Sequence, residues 1–193
     1  MHFFSALTLL TTATAVFAAP TTDVAGGSIK NIVINGSGCP PGSISTSYSA
    51  DRSSVTAVFS QFTPSVSTTS FRQNCQASVE VSIPVGKKFT VNKVTYDGFV
   101  QLTPKVSVIH DSTYYFQGQI NQKTSSDTVK GPKTSSVDLS NDFSSQSPIW
   151  SQCGGSAIVN VDISVYLKDM SDYADGFASV DSAKFGPFTF QDC

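Results

Sequence analysis

The chain has 193 residues, 13% of them charged and 39% hydrophobic, with a formal net charge of -2. That length suits one domain with a sizeable core. The near-neutral balance excludes a nucleic-acid or anionic-membrane binder, which needs a basic excess to neutralise phosphates. With 31 Ser, 19 Thr and one Glu (Glu80), the composition also disfavours a helical protein, whose surfaces are built from Glu, Lys, Ala and Leu.

The opening residues, MHFFSALTLLTTATAVFAAP, carry an apolar run from Phe3 to Phe17 that closes on small Ala18. This is the form of a secretory signal peptide, residues 1–18, cleaved after Ala18. No later stretch reaches the ~20 apolar residues of a membrane span, so the product is expected to be secreted and extracellular. Residues 19–27 read as a flexible polar lead, and residues 28–193 as a single domain.

From Ser28 onward the pattern is that of strands. Val79, Val81, Ile83 and Val85 alternate with Glu80, Ser82 and Pro84, giving one buried and one wet face. Ala157, Val159, Val161, Ile163, Val165 and Leu167 do the same opposite Asn160, Asp162 and Ser164. Weaker strands are expected at 32–34, 44–48, 55–59, 89–99, 106–120 and 180–190. CPPGS, PVGKK, DGF, KGPK and CGGS punctuate them as turns. The segment 123–134, KTSSDTVKGPKT, reads as a polar loop. No segment sustains an apolar period of 3.6. Seven to nine strands at this spacing predict an all-β, disulfide-stapled antiparallel sandwich of Greek-key-like order.

The four cysteines are Cys39, Cys75, Cys153 and Cys193. An even count in a secreted chain implies two disulfides, with three possible pairings. No two cysteines have the C-x₂₋₄-C spacing of a zinc clip, so no metal is expected. If the strands near Ser43, Ser54 and Asn74 run up, down and up, Cys39 and Cys75 open at the same end. If the strand after Cys153 runs antiparallel to the last one, Cys153 lies beside Cys193. These directions favour Cys39–Cys75 and Cys153–Cys193. Asn35-Gly36-Ser37 is a glycosylation sequon, so Asn35 is expected to carry a glycan.

Catalytic chemistry finds few candidates. His110 is the one histidine beyond the signal peptide, and no G-x-S-x-G nucleophile elbow accompanies it. It falls where a strand gives way to the turn HDST, a place suited to a solvated or capping imidazole. Glycoside hydrolysis needs two carboxylates about 5–10 Å apart. Most Asp here sit in turn-like contexts, at Asp51-Arg52, Asp97-Gly98 and Asp127-Thr128, and Glu80 lies on the wet phase of a strand. Asp169, Asp172, Asp175 and Gly176 form D-x-x-D-x-x-D-G, whose spacing of three does not fit a calcium loop. No enzyme activity and no cofactor are expected.

Contact residues are sought among surface aromatics and cations. Tyr114, Tyr115 and Phe116 are consecutive on a strand, so Tyr115 faces opposite to its neighbours. Trp150 is expected to pack on the disulfide at Cys153. Tyr114, Tyr115 and Phe116 with Lys123, Lys130 and Lys133 form the expected interaction surface.

Taken in order, several motifs point to one family. They are IVINGSGCPPGSIS at 32–45, the charged turn Asp51-Arg52, VTAVF at 55–59 and RQNCQ at 72–76. STYYFQGQ at 112–119 and SPIWSQCGGSAIV at 147–159 complete the set. This set resembles the secreted fungal family catalogued as domain of unknown function 4360, with all four cysteines in step. The resemblance implies a small secreted β protein without catalytic residues, some of whose members look like plant-apoplast effectors. For such members it implies binding to a host extracellular defence protein, such as a polygalacturonase-inhibiting protein. The alternative is a cell-wall or carbohydrate-binding module. A monomer is expected, with no nucleic-acid or membrane partner.

Overall fold

The computed structural model describes residues 26–65, 71–168 and 175–193. The signal peptide, residues 19–25 of the lead, and Asp169 and Asp172 of the acidic segment lie outside the described residues. Within them the chain forms twelve strands and no helix. These are β1 (Ser28–Asn35), β2 (Ile44–Tyr48), β3 (Val55–Phe59), β4 (Arg72–Ile83), β5 (Lys87–Thr90) and β6 (Lys93–Leu102). They continue with β7 (Ser107–Phe116), β8 (Gln122–Lys130), β9 (Lys133–Asp142), β10 (Gly155–Lys168), β11 (Gly176–Phe185) and β12 (Thr189–Asp192).

Ten strands make two five-stranded sheets, ordered β1-β4-β10-β7-β8 and β2-β3-β11-β6-β9, while β12 pairs β5 in a small ribbon. Every ladder is antiparallel. Val79, Val81, Val159, Val161 and Ile163 from the first sheet meet Val55, Val94, Val100, Ala183 and Phe185 from the second in one core. The side chains of a strand alternate between faces, so this inward set fixes the outward one. Near the β5–β12 ribbon, Phe89 packs edge-on against Phe116 with centroids 5.2 Å apart, and Phe188 and Phe190 close over it. The sulfur pairs are Cys39–Cys75 and Cys153–Cys193. The first joins the β1–β2 connection to β4, and the second ties the end of the chain to the approach to β10.

Several expectations need correction. The segment 123–134 is not a loop but most of β8 and the start of β9. Its hydroxyl and charged residues alternate faces without an apolar stripe to reveal them, and the strand count rises to twelve accordingly. The strand expected at 106–120 ends at Phe116, and that at 180–190 is broken around Gly186-Pro187. Gly26 and Gly27, assigned to the flexible lead, lie against Phe190, and a Cβ on Gly27 would stand 1.9 Å from the Ser82 carbonyl oxygen. Asp97 and Asp127 lie within β6 and β8, while Asp51 occupies the turn expected of it.

His110 also departs from its expected setting. It sits mid-strand in β7, in phase with inward Val108, Ser112, Tyr114 and Phe116, and is 1% exposed. Its Nδ1 lies 2.9 Å from Asn141 Oδ1, while Asn141 Nδ2 donates to the His110 carbonyl at 3.3 Å. Because that amide nitrogen is committed, Asn141 presents its oxygen to the ring, and Nδ1 carries the proton. Ser112 Oγ donates to the same Asn141 oxygen at 2.6 Å, and the Tyr96 hydroxyl completes the chain by donating to Ser112. Nε2 of His110 is buried with no hydrogen-bond partner among the described residues.

Candidate functional site

The outward face of the sheet β1-β4-β10-β7-β8 is unlike an ordinary solvated face. Its two central strands, β4 and β10, point amides, carboxylates and hydroxyls outward where Lys and Thr would suffice for solubility. Cross-strand register assembles them in rows. Asn35, Gln76, Asp162, Thr113 and Thr124 form one row, and Val33, Ser78, Asn160, Tyr115 and Gln122 the next. On the far side of Asp162, Asn74, Ser164, Asp111 and Ser126 align, followed by Arg72, Tyr166 and Ile109.

Hydrogen bonds hold these groups in place. Asn160 is 6% exposed, and its Oδ1 accepts from Ser78 Oγ at 2.6 Å and Gln76 Nε2 at 3.4 Å. The Tyr115 hydroxyl donates to Gln76 Oε1 at 3.3 Å, so three strands share one polar relay. Ser126 Oγ donates to Asp111 at 2.5 Å. Arg72 Nε donates to Ser164 Oγ at 3.0 Å, and its guanidinium lies 5.2 Å from the Tyr166 ring centroid. Partial burial and the Asp111 carboxylate push the Tyr166 phenol above its ordinary range. Asp162, in the middle of this face, has one carboxylate oxygen buried and without a hydrogen-bond partner among the described residues. A buried acceptor left unmade is costly, because water has been removed and nothing replaces it.

The face runs into a cleft of about 270 Å³ at the end where β4 and β7 finish and β10 begins. Glu80, Gln117, Gln119, Gln152, Ser156 and Ile158 line it. Gln152 Nε2 donates to the Ser156 carbonyl at 2.8 Å and Gln119 Nε2 to the Trp150 carbonyl at 3.1 Å, which fixes two of the three glutamines. Lys30 Nζ stands 4.0 Å from the Glu80 carboxylate. The result is a surface rich in acceptors and amides with a shallow recess at one end, suited to a ligand carrying many hydroxyls.

The expected interaction surface is divided by the fold. Tyr114 and Phe116 are core residues, 1% and 2% exposed, because they share the inward phase with His110. Tyr115 alone of the three lies on the outer face. Lys123 is half-buried opposite Tyr114, whereas Lys130 and Lys133 are exposed on either side of the β8–β9 turn. Trp150 lies off the sheet, half-buried, with Lys88 Nζ 5.5 Å from its ring centroid, so it forms no row with Tyr115. Asn35 is exposed at the end of β1, on the margin of the polar face. Sequence reasoning missed Gln76 and Gln117 and treated Glu80, Asn160 and Asp162 as merely wet. The available signal was the chemistry of the outward phase, which carried amides and carboxylates at successive positions of two neighbouring strands.

Comparison with known proteins gives the following. A family model described as "Domain of unknown function (DUF4360)" matches residues 25–191. An uncharacterized secreted protein of Arthroderma benhamiae is 34% identical over 158 residues, covering 80% of this chain and 64% of that protein's length. Among solved structures, TmCBM61 in complex with beta-1,4-galactotriose aligns over 82% of this chain and 90% of its own, at 14% identity and a TM-score of 0.31. The enzymatically active domain of bacteriophage CBA120 tailspike protein 4 aligns over 85% of this chain and 20% of its own, at 10% identity and a TM-score of 0.25.

Proposed function

For a secreted chain that belongs to the DUF4360 family, we propose a non-catalytic role in binding carbohydrate through the outer face of the β1-β4-β10-β7-β8 sheet. The observation that carries this reading is the relay of hydrogen-bonded amides and hydroxyls, Ser78, Asn160, Gln76 and Tyr115, set beside the half-buried Asp162 on that face. The half-buried Asp162 side chain offers a carboxylate to a sugar hydroxyl, and the half-buried Gln76 amide and Tyr115 hydroxyl supply partners for adjacent hydroxyls. Tyr115 lies opposite Asn160 and Tyr166 is six positions further along β10, so the face between the tyrosines is about 20 Å long. That accommodates several sugar rings in line. The reading is non-enzymatic because His110, the one imidazole among the described residues, is sealed in the core where no substrate reaches it.

Depletion of the purified mature protein by insoluble β-glucan, chitin, cellulose and pectin, followed by calorimetry with the matching oligosaccharides, tests this. Saturable binding to one glycan that is lost in Asp162→Ala supports it. Absence of binding to every glycan overturns it.

A second reading, binding to a host extracellular protein such as a polygalacturonase-inhibiting protein, is favoured by one feature. Val85 and Ile120, 96% and 98% exposed, stand on loops at the same end of the sandwich. Isolated apolar side chains so placed suit a protein contact better than a glycan. Capture of an apoplastic protein by the native chain, lost in Val85→Ser/Ile120→Ser but kept in Asp162→Ala, selects this reading.

A further inference from the structure

A second cleft, of about 210 Å³, lies beside Trp150, and the face already described does not include it. Phe143, Pro148 and Trp150 give it apolar walls, while Asn92, Gln146 and Thr189 give it a polar rim. Phe143 is fixed edge-on against Tyr114, with centroids 4.8 Å apart, so that wall is rigid. The rim is ordered as well. Asn92 Nδ2 donates to Thr189 Oγ1 at 2.6 Å, and Gln146 Nε2 donates to the Thr124 carbonyl at 2.8 Å. With both amide nitrogens committed to the protein, the amide oxygens of Asn92 and Gln146 are left as acceptors. Lys88 sits 5.5 Å from the indole centroid and helps hold the ring.

An apolar wall beside fixed acceptors matches a pyranose ring, which has a C–H face and a rim of hydroxyl donors. The volume is below the ~300–1,000 Å³ of drug-sized pockets, which suits one ring rather than a chain segment. One hydrogen bond links the two clefts. Gln119, which lines the first, donates to the carbonyl of Trp150, which lines the second.

We propose that the Trp150 cleft is a second carbohydrate subsite, taking a single neutral hexopyranose unit against the indole. This rests on the carbohydrate-binding reading of the sheet face. It adds a separate point of attachment, so that one glycan, or two neighbouring ones, is held at two sites linked by the Gln119–Trp150 hydrogen bond. Two weak sites joined in this way bind a polymer more tightly than either binds alone.

Trp150 is the sole tryptophan of the chain, which makes the cleft its own reporter. The full mature protein is titrated with cellohexaose, laminarihexaose and N-acetylchitohexaose, and tryptophan emission is followed beside calorimetry. The expected result is a saturable emission change with at least one of them. Asn92→Ala/Gln146→Ala should raise its midpoint about tenfold, and Asp162→Ala should leave its amplitude at saturation intact. Gln146→Ala alone serves if the double variant is misfolded by circular dichroism. Calorimetric binding without any emission change overturns the second subsite and leaves the sheet-face reading standing. An emission change insensitive to the rim substitutions also overturns the second subsite, and absence of binding by both methods overturns both readings.

Discussion

Nδ1 of His110 on β7 lies 2.9 Å from Oδ1 of Asn141 on β9, and with the Ser112–Asn141, Asn141–His110 carbonyl and Tyr96–Ser112 bonds it ties one sheet to the other across the core. Burial is the main reason the His110 pKa falls from 6.5 to about 4, with the Asn141 bond and the Asp127 and Asp111 carboxylates opposing the shift. In the unfolded chain the ring takes up its proton near pH 6.5. Between 6.5 and about 4 the unfolded state therefore binds a proton that the folded state refuses. The contribution to stability is full above pH 6.5, declines as pH falls, and is gone below about 4. Its size is on the order of 3 kcal/mol. Urea unfolding at pH 7.5 and 4.2 should show the loss, and His110→Gln should flatten it. Asp51, held at about 2 by hydrogen bonds from Ser49 and Ser53, acts only below about pH 4 and leaves that window clear.

The same network ranks its members. Asn141→Ala strands the Ser112 hydroxyl and the His110 Nδ1–H in the core, and should cost about 3 kcal/mol or more. Tyr96→Phe removes only the donor at the end of the chain and should cost about 1 kcal/mol. Equal losses in chemical denaturation would show that the bonds do not act in series.

The two disulfides close loops spanning 36 and 40 residues. Chain-entropy arguments give each about 4 kcal/mol, less whatever the folded state surrenders to strain. Replacing Cys39 and Cys75 together by Ser should therefore lower the unfolding free energy by roughly 2–4 kcal/mol. The native secreted protein should show no reactivity with thiol reagents before denaturation and reduction.

On the sheet face, Asp162→Ala is expected to weaken glycan binding at least tenfold, about 1.4 kcal/mol. It should not lower the melting temperature, because no protein donor loses a partner and a buried unpaired oxygen is removed. Gln76→Ala should weaken binding less and also lower stability slightly, since it breaks the links to Asn160 and Tyr115. A melting temperature that falls sharply in Asp162→Ala would assign that carboxylate a structural role.

How much of this was legible depended on where side-chain contrast lay. β2 and β3 were read with their observed bounds, because each is a short run with apolar or aromatic ends, set off by the turns at 39–43 and Asp51-Arg52. β8 and β9 escaped because Thr124, Ser125, Ser126, Asp127 and Thr128 offer no difference between the two faces for periodicity to detect. At such an edge, pairing with β7 and β6 defines the strand. His110 was misplaced for a related reason. HDST looks like a turn, yet backbone pairing with Val165 and burial of alternate residues carry β7 straight through it. The polar face was visible as alternation, but its chemistry was not. Only register places Gln76, Asp162 and Thr113 side by side from three distant stretches of chain.

β8 ends one sheet and β9 ends the other, and the two are consecutive in the chain. A single hairpin thus supplies an open rim to each layer, the sort of rim onto which a stray strand adds during aggregation. Its exposed strand positions are Gln122, Thr124, Ser126, Thr128 and Lys130, then Lys133, Thr134, Ser136, Asp138, Ser140 and Asp142. None of these offers apolar surface to an incoming chain, and the lysines repel a second copy of the same hairpin. The blandness that concealed these strands from pattern reading therefore has a use, since it disfavours edge-to-edge addition of a second copy.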